Sequence, residues 1–334
     1  MTQSPKVQRR PKAYPPPEFP PRKPKLFART PPAVFPVVLG LLGLGLALRD
    51  AAVVLGLPGG VVEAALGAGL AFWALATVAL LYKFVRRPAV LMEDLKILPG
   101  RAGLAACSIS AMLAAAVLVP YAPGVAYGLM VGALAVHGVL AGLIIWSLLR
   151  LPQEQRVVNP AWHLSFVGGI VAAIPALALG RLELAQVLLW GAMPIAGLIW
   201  GASLAQLIGR IPPAPLRPLL AIHLAPAALF TLVATGLGQM VLAQSFAAFG
   251  AVIFLALLLG LRWVTAAGFS PLWGSFTFPL VSFAAALIGL GGQVEQIGLG
   301  LLAAAVVVVV TIAWKVIAMW PTGKLAAKTN AAEA

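Results

Sequence analysis

Residues 125–149 read VAYGLMVGALAVHGVLAGLIIWSLL, a run of twenty-five without one Asp, Glu, Lys or Arg, closed by Arg150. Wound as an α-helix, the run extends about 37 Å at ~1.5 Å per residue, more than the ~30 Å hydrocarbon core of a bilayer. The strands of a membrane barrel are ~10-residue segments of alternating polarity, and this run is neither short nor alternating. In lipid the backbone must bond to itself, which a helix does. Its glycines Gly128, Gly132, Gly138 and Gly142 fall on one face about 120° wide at ~100° per residue, where another helix can approach closely.

The rest of the chain repeats the pattern. Of 334 residues, 61% are hydrophobic and 10% charged, with mean hydropathy +1.00. A soluble domain carries about a quarter charged residues, so lipid is the natural solvent here. Nine further apolar runs occupy 33–48, 61–85, 103–121, 162–179, 184–208, 216–242, 244–264, 273–291 and 294–320. Their breaks carry Pro and Gly, as in Leu57-Pro58-Gly59-Gly60 and Ile211-Pro212-Pro213. The expected fold is therefore an all-α integral membrane protein of ten transmembrane helices, occupying residues 31–320. A single cysteine, Cys107, excludes an internal disulfide.

The formal net charge is +14, which in a soluble protein would suggest nucleic acid. Here the positive residues gather at helix ends and read as topology signals instead, so no nucleic-acid partner is expected. With the N-terminus in the cytoplasm, 21 of 23 Lys and Arg lie on the cytoplasmic side, and only Arg49 and Arg181 fall opposite. Both termini are then cytoplasmic, in a plasma membrane such as the bacterial inner membrane. Residues 1–30 form a basic, proline-rich tail expected to be disordered, with no signal-peptide pattern. Residues 321–334 form a short C-terminal tail.

Prolines divide the helices. Pro36, Pro175, Pro226 and Pro279 lie inside odd-numbered runs, whereas only Pro194 lies inside an even one. An interior proline frees the carbonyl four residues back, which protein or a water-lined cavity must then accommodate. The simplest arrangement is five hairpins, with kinked odd helices around a central pore and straight even helices outside.

Catalytic chemistry finds no site, and the chain is not read as an enzyme. No Asp, Glu, Lys or Arg lies near the middle of any run, where proton relays and coupled pumps keep ionisable residues. His137, His163 and His223 lack the short helical spacing of metal ligands and read as isolated packing residues, so no metal or other cofactor is expected. Gly40, Gly43 and Gly45 lack the strand that precedes a dinucleotide-binding turn.

The ninth run is the distinctive one: Ser270-Pro271-Leu272-Trp273-Gly274-Ser275-Phe276-Thr277-Phe278-Pro279-Leu280. Pro279 removes the bond to the Ser275 carbonyl and disfavours ordinary helix at Phe278. That combination can aim the ring into a central cavity, although a Phe packed on lipid or a neighbouring helix fits these residues as well. Trp273-x-x-x-Thr277-Phe278-Pro279 on the ninth of ten helices resembles the tellurite-resistance/dicarboxylate-transporter family, which includes bacterial TehA proteins and the slow anion channels of plant guard cells. Similar stretches are Phe35 to Gly43, Asn159-Pro160-Ala161-Trp162 and Ile222 to Ala228.

The resemblance spans roughly residues 33–320. It implies a homotrimer in which each protomer has its own pore, lined by odd helices and closed by a phenylalanine whose position here is Phe278. Two departures are Gly274, where relatives often have a second aromatic, and the single proline of Ala225-Pro226-Ala227. The function expected is a passive channel for small inorganic or organic anions, with Ser275, Thr277 and Ser282 as polar lining. The alternative is a secondary carrier exporting dicarboxylates or oxyanions, in keeping with tellurite resistance.

Overall fold

A computed structural model describes residues 26–153 and 156–334. Among them there are helices and no strands. Nine helices are long and apolar enough to cross a membrane: α1 (Pro32–Val54), α2 (Gly60–Arg86), α3 (Leu98–Leu118), α4 (Pro123–Arg150), α6 (Leu182–Gly209), α7 (Ala214–Gly236), α8 (Met240–Leu259), α9 (Pro271–Leu290) and α10 (Gln293–Ala318). Between the fourth and sixth lies α5 (His163–Ala178), which is apolar but shorter. At ~1.5 Å per residue it covers about 24 Å, less than a ~30 Å core. Short helices Ala89–Lys96, Leu261–Val264 and Lys324–Thr329 complete the described chain.

Burial separates the helices by parity. The apolar windows of α1, α3, α7 and α9 are 61 to 78% buried, against 17 to 33% for α2, α4, α6, α8 and α10. Within α5 only Ala178 is exposed. The odd helices pack in sequence, α1 on α3, α3 on α5, α5 on α7 and α7 on α9, and α9 returns to α1 to close a ring. Each even helix lies against the odd helix before it. Apolar side chains on the outside of this ring, such as Val187, Leu198, Val241 and Trp314, are left exposed, as a lipid-facing surface requires.

The interior prolines mark a change of helix type, where the sequence suggested kinks. In α1 a 3-10 turn Pro32–Val34 gives way to α-helix at Phe35, with Pro36 second in the α segment. Pro226 is third after the 3-10 stretch Ala214–His223, and Pro279 third after Pro271–Phe276. In α5 a π turn His163–Val167 and a 3-10 turn Gly168–Ala172 precede the α segment, where Pro175 is again third. The first N–H groups of an α-helix have no partner in the helix, so a proline there loses little. Pro194, by contrast, lies well inside the continuous α-helix of α6.

The far ends of α5 and α7 are closed by glycines in the left-handed region. Gly180 has φ +70 and Gly238 φ +72. The following amides reach back, Arg181 N–H to the Ala176 carbonyl and Gln239 N–H to the Ala234 carbonyl, both at 2.8 Å. This is the Schellman closure that only a residue without Cβ adopts freely, and it turns the chain straight into α6 and α8.

At the near end, where the odd helices begin, Lys83 donates to Asp94 at 2.8 Å with both side chains fully buried. Lys83 Nζ also donates to the Thr30 carbonyl at 3.1 Å, and Asp94 accepts from the Ala332 N–H at 2.9 Å. One ion pair thus ties α2, the Ala89–Lys96 helix and both ends of the described chain. Removing either partner leaves an uncompensated buried charge, at a cost of about 3–5 kcal/mol. The two positive residues that break the charge alternation are accounted for at the far end. Arg49 makes a two-pronged bond with Glu63, both prongs at 2.6 Å, and Arg181 stacks 5.2 Å from the Tyr127 ring centre.

Candidate pore constriction

The site is built on the first turns of α9. Ser270 is extended, and Pro271 opens a 3-10 turn that runs to Phe276. The Thr277 hydroxyl then donates to the Gly274 carbonyl at 2.7 Å and lies 3.1 Å from the Pro36 carbonyl of α1. Ser275 donates at 2.6 Å to the Pro218 carbonyl of α7. These two hydroxyls hold the start of α9 between its neighbours, and neither residue lines the cavities that border Phe278. Between Thr277 and Pro279, the residue Phe278 is 6% exposed.

Two glycines of α1 make room for this arrangement. A Cβ on Gly40 would stand 2.3 Å from Thr277 Oγ1, and one on Gly43 would stand 3.0 Å from Cδ2 of Phe278. The glycine cluster that carries no meaning as a nucleotide motif is thus the bed on which Thr277 and Phe278 lie. The spacing of three along one helix face was the available signal, but nothing in the sequence says which helix lies against it.

Phe278 borders two cavities. The near one is lined by Leu39, Ile109, His163, Pro226, Leu229 and Phe278 among others, and its volume is about 20 Å³. That is room for about one water molecule. The far one includes Gly43, Asp50, Leu113, Ile174, Leu229 and Ser282 with Phe278, and its volume is about 210 Å³. Phe278 and Leu229 belong to both walls, and each wall draws on all five odd helices and on no even one. Of the proline positions, Pro226 lines the near cavity, while Pro36, Pro175 and Pro279 lie off both walls. Ser282 lines the far cavity, and its hydroxyl donates to the Pro279 carbonyl at 3.1 Å.

The profile of the voltage-dependent anion channel family, SLAC1, matches residues 29–320. The chain belongs to the SLAC1 family. No curated protein sequence matches it. Membership makes it a multi-pass membrane protein of anion transport, and the matched span takes in every residue of both cavity walls. The family resemblance read from Trp273, Thr277, Phe278 and Pro279 is thereby confirmed over residues 29–320.

The histidines of this SLAC1-family chain are not isolated, as their spacing had suggested. His163 Nε2 lies 2.9 Å from His223 Nδ1 across the start of α5 and α7, with the rings edge to face. Trp200 of α6 donates to the His223 carbonyl at 3.1 Å. His137 pairs with Ser108 through Nδ1 at 2.9 Å. Among the described residues no group of three or more His, Cys, Asp and Glu could hold a metal ion.

A third cavity, of about 330 Å³, opens near the beginning of α3 and the end of α6, with Arg101, Asn159 and Arg210 on its wall. Arg101 donates to the Leu95 and Lys96 carbonyls at 3.1 and 3.0 Å. Its positive charge gives this end of the molecule an attraction for anions.

Proposed function

We propose that the chain is a passive anion channel whose pathway runs inside the ring of odd helices and is shut by Phe278. The observation that carries this reading is the position of one aromatic ring between two cavities that share the same five-helix wall. In this reading the ten apolar helices cross the membrane as five hairpins, with both termini in the cytoplasm of the plasma membrane. Three such chains assemble as a homotrimer with one pathway in each.

Electrostatics supports an anion as the traveller. Four inner helices start their α segments at Phe35, Ala173, Leu224 and Thr277. The positive end of each helix dipole therefore falls within the bundle, toward its near half. Half-helix N-termini at mid-membrane favour negative charge without binding it tightly. Weak attraction suits conduction, since an ion must also leave. Arg101 and Arg210 would raise the anion concentration at the near mouth.

The deciding experiment is the current carried by purified protein in a planar bilayer. Phe278→Ala is expected to raise chloride or nitrate current by about tenfold or more, a barrier lowered by at least ~1.4 kcal/mol. Unchanged current from folded protein would overturn the gate. Saturating uptake that follows a proton gradient, with no ohmic current, would favour the dicarboxylate or oxyanion carrier instead.

A further inference from the structure

His163 is 2% exposed, stands on the wall of the near cavity and uses Nε2 to meet His223. Its other ring nitrogen, Nδ1, is buried and has no hydrogen-bond partner. A buried polar atom left without a partner is destabilising, and His163 lines a space with room for about one water molecule. We infer that His163 Nδ1 is a binding contact for the permeating anion just before Phe278, and that the anion binds there together with one proton on the His163–His223 pair. This inference rests on the channel reading for its physiological meaning, but the site itself can be tested without it.

The chemistry follows from counting hydrogens. A neutral imidazole has one N–H donor and one bare acceptor nitrogen. The neutral pair has a single hydrogen between Nε2 of His163 and Nδ1 of His223. If His163 supplies it, His163 Nδ1 is a lone pair and repels an anion. If His223 supplies it, His163 Nδ1 carries a neutral N–H. One added proton removes the ambiguity: His163 becomes imidazolium, Nε2–H donates to His223, and Nδ1–H points a charged donor at the anion. Charge-assisted bonds of this kind are about twice as strong as neutral ones. An imidazolium alone in an apolar wall is costly, so proton and anion each make the other's binding easier, and by the same factor.

No other charge competes at this place. No Asp, Glu, Lys or Arg lines the near cavity. From α3 come Cys107 and Arg101, the latter held by backbone carbonyls. His137 of α4 is engaged by Ser108. In α6 Glu183 and the capping Arg210 stand at opposite ends, and α8 and α9 carry no titratable residue. Arg217, at the start of α7, donates to the Pro212 and Trp263 carbonyls. In α1 the charged residues Arg49 and Asp50 lie toward the far end.

The test is proton uptake by the full-length protein in weakly buffered detergent when sodium nitrate replaces sodium gluconate. Uptake approaching one proton per chain is expected in the wild type, and its loss in both His163→Gln and His223→Gln. His137→Gln, which alters a buried histidine outside the cavity, should retain it. Absent uptake in the wild type, or unchanged uptake in either variant that elutes as folded protein, overturns the proposal.

A second readout separates the site from the channel. In Phe278→Ala protein the nitrate current should rise as pH falls, by up to about tenfold per pH unit for a one-proton linkage, and His163→Gln should flatten that slope. Uptake without current would keep the site and reject the channel. Current with no uptake and no pH slope would do the reverse.

Discussion

The two cavities that meet at Phe278 share five helices yet differ in nearly every other respect. The near side offers about 20 Å³, a histidine and Pro226, with no carboxylate. The far side offers about 210 Å³ and includes Asp50 and Ser282. The difference lies in helix winding as much as in side chains. Near the start of the bundle, α5, α7 and α9 are wound as 3-10 or π turns, and beyond Ala173, Leu224 and Thr277 they are α-helical. Under the channel reading, the tight fit on one side would select by size, and the wider far side would act through its charge.

The most severe way to break this contrast is to remove the partition. Phe278→Ala should merge the two spaces and give the current increase stated above. It should also lower thermal stability in detergent by an amount corresponding to about 3–5 kcal/mol, the usual loss for a buried Phe. A folded variant with no merged pathway, seen as unchanged permeability to nitrate, would end the two-chamber description.

Next in size is the bed beneath the ring. Gly43→Ala places a Cβ 3.0 Å from the ring, and overpacking of this kind costs about 1–3 kcal/mol. In Phe278→Ala protein the same change should cost almost nothing, because the obstructed atoms are gone. Melting curves of the two single variants and the double variant measure that coupling. Additive losses would show that Gly43 and Phe278 do not meet.

A smaller effect is expected from the charge of the vestibule. Asp50→Asn should raise anion current driven from the far side by about threefold in 0.01 M salt and by little in 1 M, as screening shortens the reach of the carboxylate. An equal change from both sides, or one insensitive to salt, would detach Asp50 from the pathway. Smallest of all, Ser282→Ala should change current by less than about twofold, since its hydroxyl is already satisfied by the Pro279 carbonyl.

Much of the architecture could be read from the chain before any coordinate. Nine of the ten apolar runs lie mainly on helices long enough to cross a membrane, the fifth falls on the shorter α5, and the run 216–242 overshoots the turn at Leu237–Gln239 into α8. The proline bias toward odd runs foreshadows their burial. Phe278 was singled out from Pro279 and from family likeness, and it lies where two cavities meet. What escaped notice depends on who lies beside whom. His163 and His223 are 60 residues apart, so no local spacing can announce their bond. Lys83 counted as one of many cations at a helix end, yet it is fully buried against Asp94. Ser275 and Thr277 were marked as polar lining, and their hydroxyls donate to the Pro218 carbonyl of α7 and to the Gly274 carbonyl of α9 itself. The N-terminal tail lies largely outside the described residues.

The prolines that follow the 3-10 turns have one more consequence. Rewinding the six residues Pro271–Phe276 as α-helix would rotate the segment by roughly 120° and shorten it by about 3 Å, from the differing turn and rise of the two helices. Carrying the α ladder backward would require an N–H at residue 279 to reach the Ser275 carbonyl, and proline has none. The same bond is missing at Pro36, Pro175 and Pro226. A screw motion of the backbone under Phe278 would therefore gain no hydrogen bond at this step, and under the channel reading rotation of the ring about its own side-chain bonds is the simpler movement. A rotamer change moves one ring, whereas a helix rearrangement moves whole segments and takes microseconds or longer. Under the channel reading, recordings from the wild-type protein should then show a low current without the long, discrete dwells of a gate that moves whole helices.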